Sequence, residues 1–309
     1  MTRAAGATRG VLVVGDVIDD VVVRPQGPVT HDSDTRAVIA RREGGSAANL
    51  SCWLAGTGVP VTFVGRVAAA DVERHTAALA AFGVQARLVG DAREETGTII
   101  ILVDETGART MFTDRAANLN LVPDDVPDGL VEQAGLLHLS GYSFVEDGVR
   151  QAAMALMARA AQAGVPVSVD PSSSAFLAEV GASEFLAWTA GAALSFPNLD
   201  EARVLTGLDD ADAAAARLSE AYSLVAVTCG AEGAVLAQGG RVIGRVSGDP
   251  VAAMDTTGAG DAFCAGFLAS WVTHGPDPLA AAREGTGLAR DAVSRMGARP
   301  PRPVLPDPH

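Results

Sequence analysis

Met254-Asp255-Thr256-Thr257-Gly258-Ala259-Gly260-Asp261-Ala262-Phe263 is the stretch on which the reading of this chain turns. Two glycines stand between two aspartates, and an apolar run, Ala262 to Trp271, follows. Gly258 and Gly260 let the backbone turn tightly and approach a ligand closely. The apolar run reads as a helix, which puts the turn at a helix N-terminus, where unpaired N–H groups and the helix dipole favour an anion. Asp261 adds a carboxylate, an acceptor at neutral pH, beside that anion site. Phosphoryl transfer to a hydroxyl needs both parts together. Taken without its surroundings, the same stretch is equally a capped turn with Asp255 or Thr256 as N-cap.

Outward from this turn the chain alternates strand and helix. Val11 to Val14 is a continuous apolar run ending in Gly15-Asp16, so it reads as a buried first strand with a carboxylate at its C-terminal end. Strands are expected at Val61–Val64, Leu136–Ser140, Val165–Val169, Ala192–Phe196 and Leu224–Val227. Helices are expected at Ala47–Ala55, Asp71–Phe82, Val149–Gln162 and Ala211–Ala216, and two more after Gly258 and Pro278. A hairpin is expected around Gly239-Gly240. This order argues a parallel sheet covered on both faces, with the site along the C-terminal edge of its strands. Residues 17–43 and 96–115 break the rhythm with short β-like pairs, Val21–Val23 with Ala37–Arg41 and Thr98–Val103 with Arg109–Thr113. They read as a small second sheet, a lid or a dimer surface.

Composition supports an α/β body and narrows the partners. Of 309 residues 48% are hydrophobic but only 5% aromatic, which suits aliphatic parallel strands under helices. A net charge of −14 argues against nucleic acid and acidic membrane surfaces as partners. Cys52, Cys229 and Cys264 are odd in number and scattered in apolar runs, as in a reduced, cytoplasmic protein. No apolar stretch is long enough to span a membrane. Residues 1–9 read as a loose lead without an apolar signal core, and the proline-rich 301–309 as a loose tail. His138 reads as a buried strand histidine. His31, His75, His274 and His309 stand in polar or terminal settings, and no pair has metal spacing. No strand–GxGxxG–helix unit occurs, which disfavours a Rossmann dehydrogenase.

Four motifs in order carry a resemblance. Gly44-Gly45-Ser46-Ala47-Ala48-Asn49-Leu50-Ser51 resembles the N-terminal signature of the ribokinase-like (PfkB) carbohydrate kinases, and Asp255 to Asp261 looks like their C-terminal signature. Between them, Asn198-Leu199-Asp200-Glu201 looks like the family's Asn-x-x-Glu motif, and Thr228 to Gly233 like its nucleotide-side stretch. The resemblance implies a ribokinase-like three-layer α/β/α fold over residues 10–300, with a mostly parallel central sheet and a small β-sheet lid. It implies Asp261 as general base and Gly258, Ala259 and Gly260 as an anion hole. Asp16, Gly44, Gly45 and Asn49 would hold the sugar. Asn198 and Glu201 would organise magnesium, Glu201 through water; Thr228, Gly230 and Gly233 would line ATP. Asp255 and Thr257 resemble a monovalent-cation site for potassium. The lid would pair two copies as a homodimer. Gly285-Thr286-Gly287 stands where the family often has an asparagine facing the nucleotide.

The acceptor is the open part. Arg115 resembles an arginine of the 2-keto-3-deoxygluconate kinases, which neutralise a carboxylate, as an Arg fork does well. The second arginine of that group, expected after Asp170-Pro171, is absent: the chain reads Ser172-Ser173-Ser174. A lone surface role for Arg115 is the alternative. The expectation is therefore a neutral sugar such as ribose or a hexose. A sugar acid and a nucleoside are the alternatives, and a non-catalytic sugar or nucleotide sensor is the reading from another class.

Overall fold

Val11–Val14, strand β1, shows why an apolar run without alternation is a strand here. In the computed structural model, which describes residues 9–248 and 251–302, Val11 and Val13 join one core while Leu12 and Val14 join the other. A strand covered on both faces needs apolar residues on both. The loose lead and tail expected from the sequence fall almost wholly on 1–8 and 303–309, outside the described residues.

The chain leaves β1 for β2 (Ile18–Pro25) and β3 (Ala37–Gly44), then returns through β4 (Val61–Ala68) and β5 (Gln85–Asp91). It leaves again for β6 (Thr98–Val103) and β7 (Arg109–Asp114). The rest of the main sheet follows in sequence: β8 (Leu136–Ser140), β9 (Val167–Asp170), β10 (Leu194–Ser195), β11 (Leu224–Thr228), β12 (Gly233–Gln238) and β13 (Arg241–Ser247). Among the described residues the main sheet is nine-stranded, in the order β13-β12-β11-β10-β9-β8-β1-β4-β5. It is parallel except at the β11–β12 and β12–β13 pairs. The order reverses beside β1, and the strand ends there open a crevice for ligands.

Three departures from the sequence reading bear on the main sheet and its cover. Strand β5 was not expected, because Gln85-Ala86-Arg87-Leu88 has no apolar run; it pairs with β4 at the sheet edge, where only one side must be covered. Strand β10 keeps two residues, although Phe196 N still reaches Val169 O at 3.1 Å. The helix expected over Asp71–Phe82 is regular only at Val72–Ala80.

Helices Ser46–Gly56, Ala259–His274 and Pro278–Val293 cover one face of the sheet. Asp147–Ala163, Ser174–Val180, Leu199–Thr206 and Ala211–Leu218 cover the other. The Ala259–His274 helix is apolar all round because it lies between the sheet and its two neighbouring helices. Phe267 is wholly buried there, its ring 4.9 Å from Phe196 and 5.7 Å from Trp271. Burial of such a ring is worth about 1.5–3 kcal/mol, and it anchors the helix whose first turn carries Asp261.

The second sheet runs β3-β2-β6-β7. Register places Val21 beside Ile100, Ile100 beside Phe112, and Val23 beside Leu102 and Ile39. These residues share the outer face, on which Ile39, Ile100 and Phe112 are exposed. The inner face carries Val22, Ile101, Val103 and Arg109, and it roofs a cavity of about 340 Å³ whose floor is the Met254–Thr257 turn. No helix among the described residues is long and apolar enough to cross a membrane.

Candidate active site

The two glycine stretches meet at Asp261. Ser46 Oγ donates to Asp261 Oδ1 at 2.7 Å, and Asn49 Nδ2 donates to Oδ2 at 3.3 Å. Asp261 is buried in the first turn of the Ala259–His274 helix. Burial pushes its carboxyl up to about 7; the Ser46 hydroxyl pulls it down, and the charge of Asp170 pushes it up again. A carboxyl poised near neutrality can both take and hold a proton. The N-cap of this helix is Gly258, not Asp255 or Thr256, and it makes no side-chain cap bond. Gly258 has φ of 76°, and a Cβ there would lie 2.5 Å from Ala298 O. Both facts exclude a side chain at the turn. Ala259 N reaches Thr256 O at 3.3 Å, a long bond that closes the turn.

A cavity of about 210 Å³ opens over Asp261 and is shared by Ser46, Asp170, Glu201, Thr228 and Gly260. Asp170 ends β9 and Glu201 stands in the first turn of Leu199–Thr206. Asn198 caps that helix: its Oδ1 accepts from Glu201 N at 2.9 Å, and its own N donates to Glu201 Oε2 at 3.0 Å. The Asn-x-x-Glu motif is thus a capping box that also presents a buried carboxylate. Burial raises Asp170 and Glu201 above the usual carboxylate range, and the charge of Glu201 raises Asp170 further. Two such carboxylates form a hard oxygen donor set short of a cation, which fits magnesium.

Thr228, Gly230 and Gly233 line a neighbouring cavity of about 310 Å³, with Phe263, Thr286 and Ala289 on its apolar side. Thr286, from the Gly285-Thr286-Gly287 stretch, is among the residues lining this cavity.

At the end of β1, Asp16 Oδ1 accepts from Ala47 N at 3.2 Å. Gly45, with φ of 95°, passes so close that a Cβ would lie 2.5 Å from Asp16 O. Arg115 is not a lone surface residue: its side chain is 13% exposed, its Nη1 lies 3.5 Å from Asp16 Oδ2, and its guanidinium covers the Tyr142 ring at 3.8 Å. Gly44 offers its carbonyl to Arg299 Nη2 at 3.2 Å, and Arg299 Nε reaches Asn49 Oδ1 at 3.2 Å.

Asp255 and Thr257 lie apart from this cleft, on the floor of the cavity under the lid. Asp255 Oδ1 accepts from Thr257 N at 3.0 Å and from Arg109 Nη1 at 3.2 Å, while Oδ2 accepts from Gly297 N at 3.0 Å. Arg109 Nη2 donates to Thr256 Oγ1 at 2.7 Å, and Nη1 also donates to Thr257 Oγ1.

Sequence reasoning did not single out Ser46, Asp170, Arg109, Asn118 and Arg299, which the structure brings against the expected site residues. Asp170 carried a usable signal, a carboxylate at a parallel strand's C-terminal end. Ser46 lay inside a quoted motif. Asn118 Oδ1 accepts from Val17 N at 2.9 Å and its Nδ2 donates to Val17 O at 2.9 Å, a clamp no local pattern announces. His138 is the buried strand residue expected, with Nδ1 2.9 Å from Ser168 Oγ. His75 stands in the polar setting expected, with Nε2 3.6 Å from Asp19 Oδ1, but it is buried there. The three cysteines are unpaired, as expected.

A three-layer body with a β lid and a carboxylate cleft at the strand ends is the ribokinase-like kinase fold. The model for pfkB family carbohydrate kinases matches residues 8–305. A fructokinase of Klebsiella pneumoniae is 31% identical over 312 residues, 96% of each chain. An ATP-dependent ribose-1-phosphate kinase of Halopiger xanaduensis is 30% identical over 295 residues, 94% of this chain and 93% of that one. The crystal structure of adenosine kinase from Sinorhizobium meliloti superposes with a TM-score of 0.83 at 28% identity, covering 95% and 96% of the two chains. The chain belongs to the PfkB family of carbohydrate kinases. It is a phosphotransferase that uses ATP on a sugar or nucleoside acceptor.

Proposed function

We propose that the enzyme phosphorylates a hydroxyl of a neutral sugar, a ketohexose of the fructose type, with Asp261 as general base. The single observation that carries this reading is the meeting of Ser46, Asn49 and Asp261 at the mouth of the transfer cavity. Asp261 takes the hydroxyl proton. The amides of Gly258, Ala259 and Gly260 form the cradle for the γ-phosphoryl group at the helix N-terminus. Thr228, Gly230 and Gly233 line the nucleotide. Asp16, Gly44, Gly45 and Asn49 hold the sugar. Glu201 and Asp170 would hold magnesium, with water completing its shell. When bound, magnesium neutralises phosphate charge.

Arg115 favours a neutral acceptor. Its charge faces Asp16 and stacks on Tyr142, and a substrate carboxylate would have to compete with both. A fructokinase is among the relatives matched over nearly the whole chain, which supports the ketohexose. A nucleoside is the second reading, favoured by the likeness to an adenosine kinase. The outer lid face, with Ile39, Ile100 and Phe112 exposed side by side, supports a homodimer through the lid. Unpaired cysteines and the use of ATP support work in the cytoplasm.

The test is ATP consumption against fructose, other hexoses, ribose, sugar phosphates, 2-keto-3-deoxygluconate and adenosine, with product identified by phosphorus NMR. Fructose should be the best acceptor by kcat/KM, and Asp261→Asn should abolish turnover while ATP binding by calorimetry survives. Near-normal turnover by Asp261→Asn would remove the base from the mechanism. No turnover with any acceptor would favour the sensor.

A further inference from the structure

The turn resembling a monovalent-cation site already holds a cation of the protein's own. The Arg109 guanidinium comes from β7 of the lid, 146 residues away in sequence from Asp255. It faces Asp255 Oδ1, Thr256 Oγ1 and Thr257 Oγ1 together. The remaining capacity of Asp255 is taken by Thr257 N, by Thr257 Oγ1 at 2.5 Å and by Gly297 N. Potassium would need several of these oxygens, and it would sit beside a positive charge. The residues present therefore do not fit a monovalent cation while the lid lies in this position.

We propose that Arg109 is a built-in substitute for the monovalent cation. It lies on the inner face of the lid and orders the Asp255–Gly260 turn only when the lid is down. This rests on the kinase reading, since its benefit is a correctly held phosphoryl cradle. The physical argument is that Thr256 and Thr257 immediately precede Gly258 and Ala259, the residues the kinase reading assigns to the cradle. Asp255 needs a counter-charge to hold this turn, and the guanidinium supplies it at fixed geometry with no ion to capture. Asp255 is in turn held below its ordinary carboxylate range: burial, the largest influence, opposes this, but the Thr257 and Gly297 hydrogen bonds and the Arg109 charge outweigh it. Because the guanidinium rides on the lid, closing over the sugar and ordering the phosphate turn become one event. Arg109 acts through the Asp255–Thr257 turn and not on the reacting atoms, so it is a positioning residue.

The experiment compares wild type, Arg109→Ala and Arg109→Lys in potassium chloride and in tetramethylammonium chloride at equal ionic strength. Two readouts are used: kcat and KM with the best acceptor, and the thermal midpoint without substrates. Wild type should be indifferent to potassium in both. Arg109→Ala should lose kcat several-fold in tetramethylammonium with little change in acceptor KM. It should recover several-fold on adding potassium or guanidinium ion, and its midpoint should rise with potassium alone. Arg109→Lys keeps the charge but not the fork, so it should keep part of the wild-type kcat and stay indifferent to potassium. Activation of the wild type by potassium would overturn the proposal. So would an Arg109→Ala variant that is unimpaired, or impaired but indifferent to both ions, which would make Arg109 a lid tether only. Should Arg109→Ala fail to fold, wild type and Arg109→Lys decide by the same criteria. Should no acceptor be phosphorylated by any form, the kinase reading fails, and the midpoint measurement still decides the role of Arg109.

Discussion

Replacing Ser46 by alanine should move the acid limb of the pH–rate profile upward. Ser46 Oγ donates to Asp261 Oδ1 at 2.7 Å, inside a cleft where burial pushes that carboxyl up to about 7. The hydroxyl stabilises the ionised form, so its loss raises the pKa. A hydrogen bond to a charged group is worth about 1.5–3 kcal/mol, and one pH unit corresponds to about 1.36 kcal/mol. The limb should therefore move by about one to two units, to roughly 8–9. At a pH of about 7.5 the ionised fraction of Asp261 then falls from roughly three quarters to between roughly a quarter and a few per cent, and kcat/KM falls about 3- to 25-fold. Above a pH of about 10 the variant should recover to within a few-fold of wild type, since the base is again ionised. The assay is kcat/KM for the acceptor at saturating ATP, from about pH 5.5 to 10. A Ser46→Ala profile that superimposes on the wild-type limb, or that shifts downward, would refute Asp261 as the base or Ser46 as its tuner. Asn49, at 3.3 Å, should contribute the smaller part of the same effect.

Two further expectations follow from other parts of the molecule. Phe112→Asp, on the outer lid face where Phe112 is 59% exposed, should convert a dimer to a monomer in analytical ultracentrifugation; a monomeric wild type at micromolar concentration would dismiss the lid interface. His138 is held down to about 3 by burial, so its folded pKa lies below the unfolded value near 6.5 and the native state binds fewer protons. Stability from this group is present above about 6.5 and is lost as pH falls toward 3, by as much as about 5 kcal/mol. His138→Gln lacks that loss, so the stability advantage of wild type over the variant in urea should shrink by about 2 kcal/mol between pH values of about 7.5 and 5. An advantage unchanged with pH would show that His138 is not held neutral.

The pattern of elements was readable because each strand and helix is a local consequence of its residues. Val11–Val14 must be buried on both faces, and Gly258 admits no side chain. The lid was readable as β pairs interrupting an α/β rhythm. Gln85–Asp91 was not readable, since an edge strand covered on one side can carry Gln85 and Arg87 and lose the apolar signal. The character of Arg115 was also hidden. An arginine after a lid strand looks the same on the surface as it does stacked on Tyr142 against Asp16. The burial of His75 was hidden too, because its sequence neighbours Glu73 and Arg74 turn outward on the helix while the imidazole turns in toward Asp19.

By itself the sequence determined the α/β body, the lid, the family and the chemical kind of each motif, because these rest on spacing along the chain. Only the tertiary structure decided which motifs touch. Ser46 meets Asp261 across 215 residues, and Arg109 meets Asp255 across 146. The charge state of Asp261 comes from burial and from neighbours on other elements, and no local pattern specifies either. The same holds for the cation beside Asp255: the turn is legible in Asp255 to Asp261, but the arginine that completes it arrives from the far end of a separate sheet.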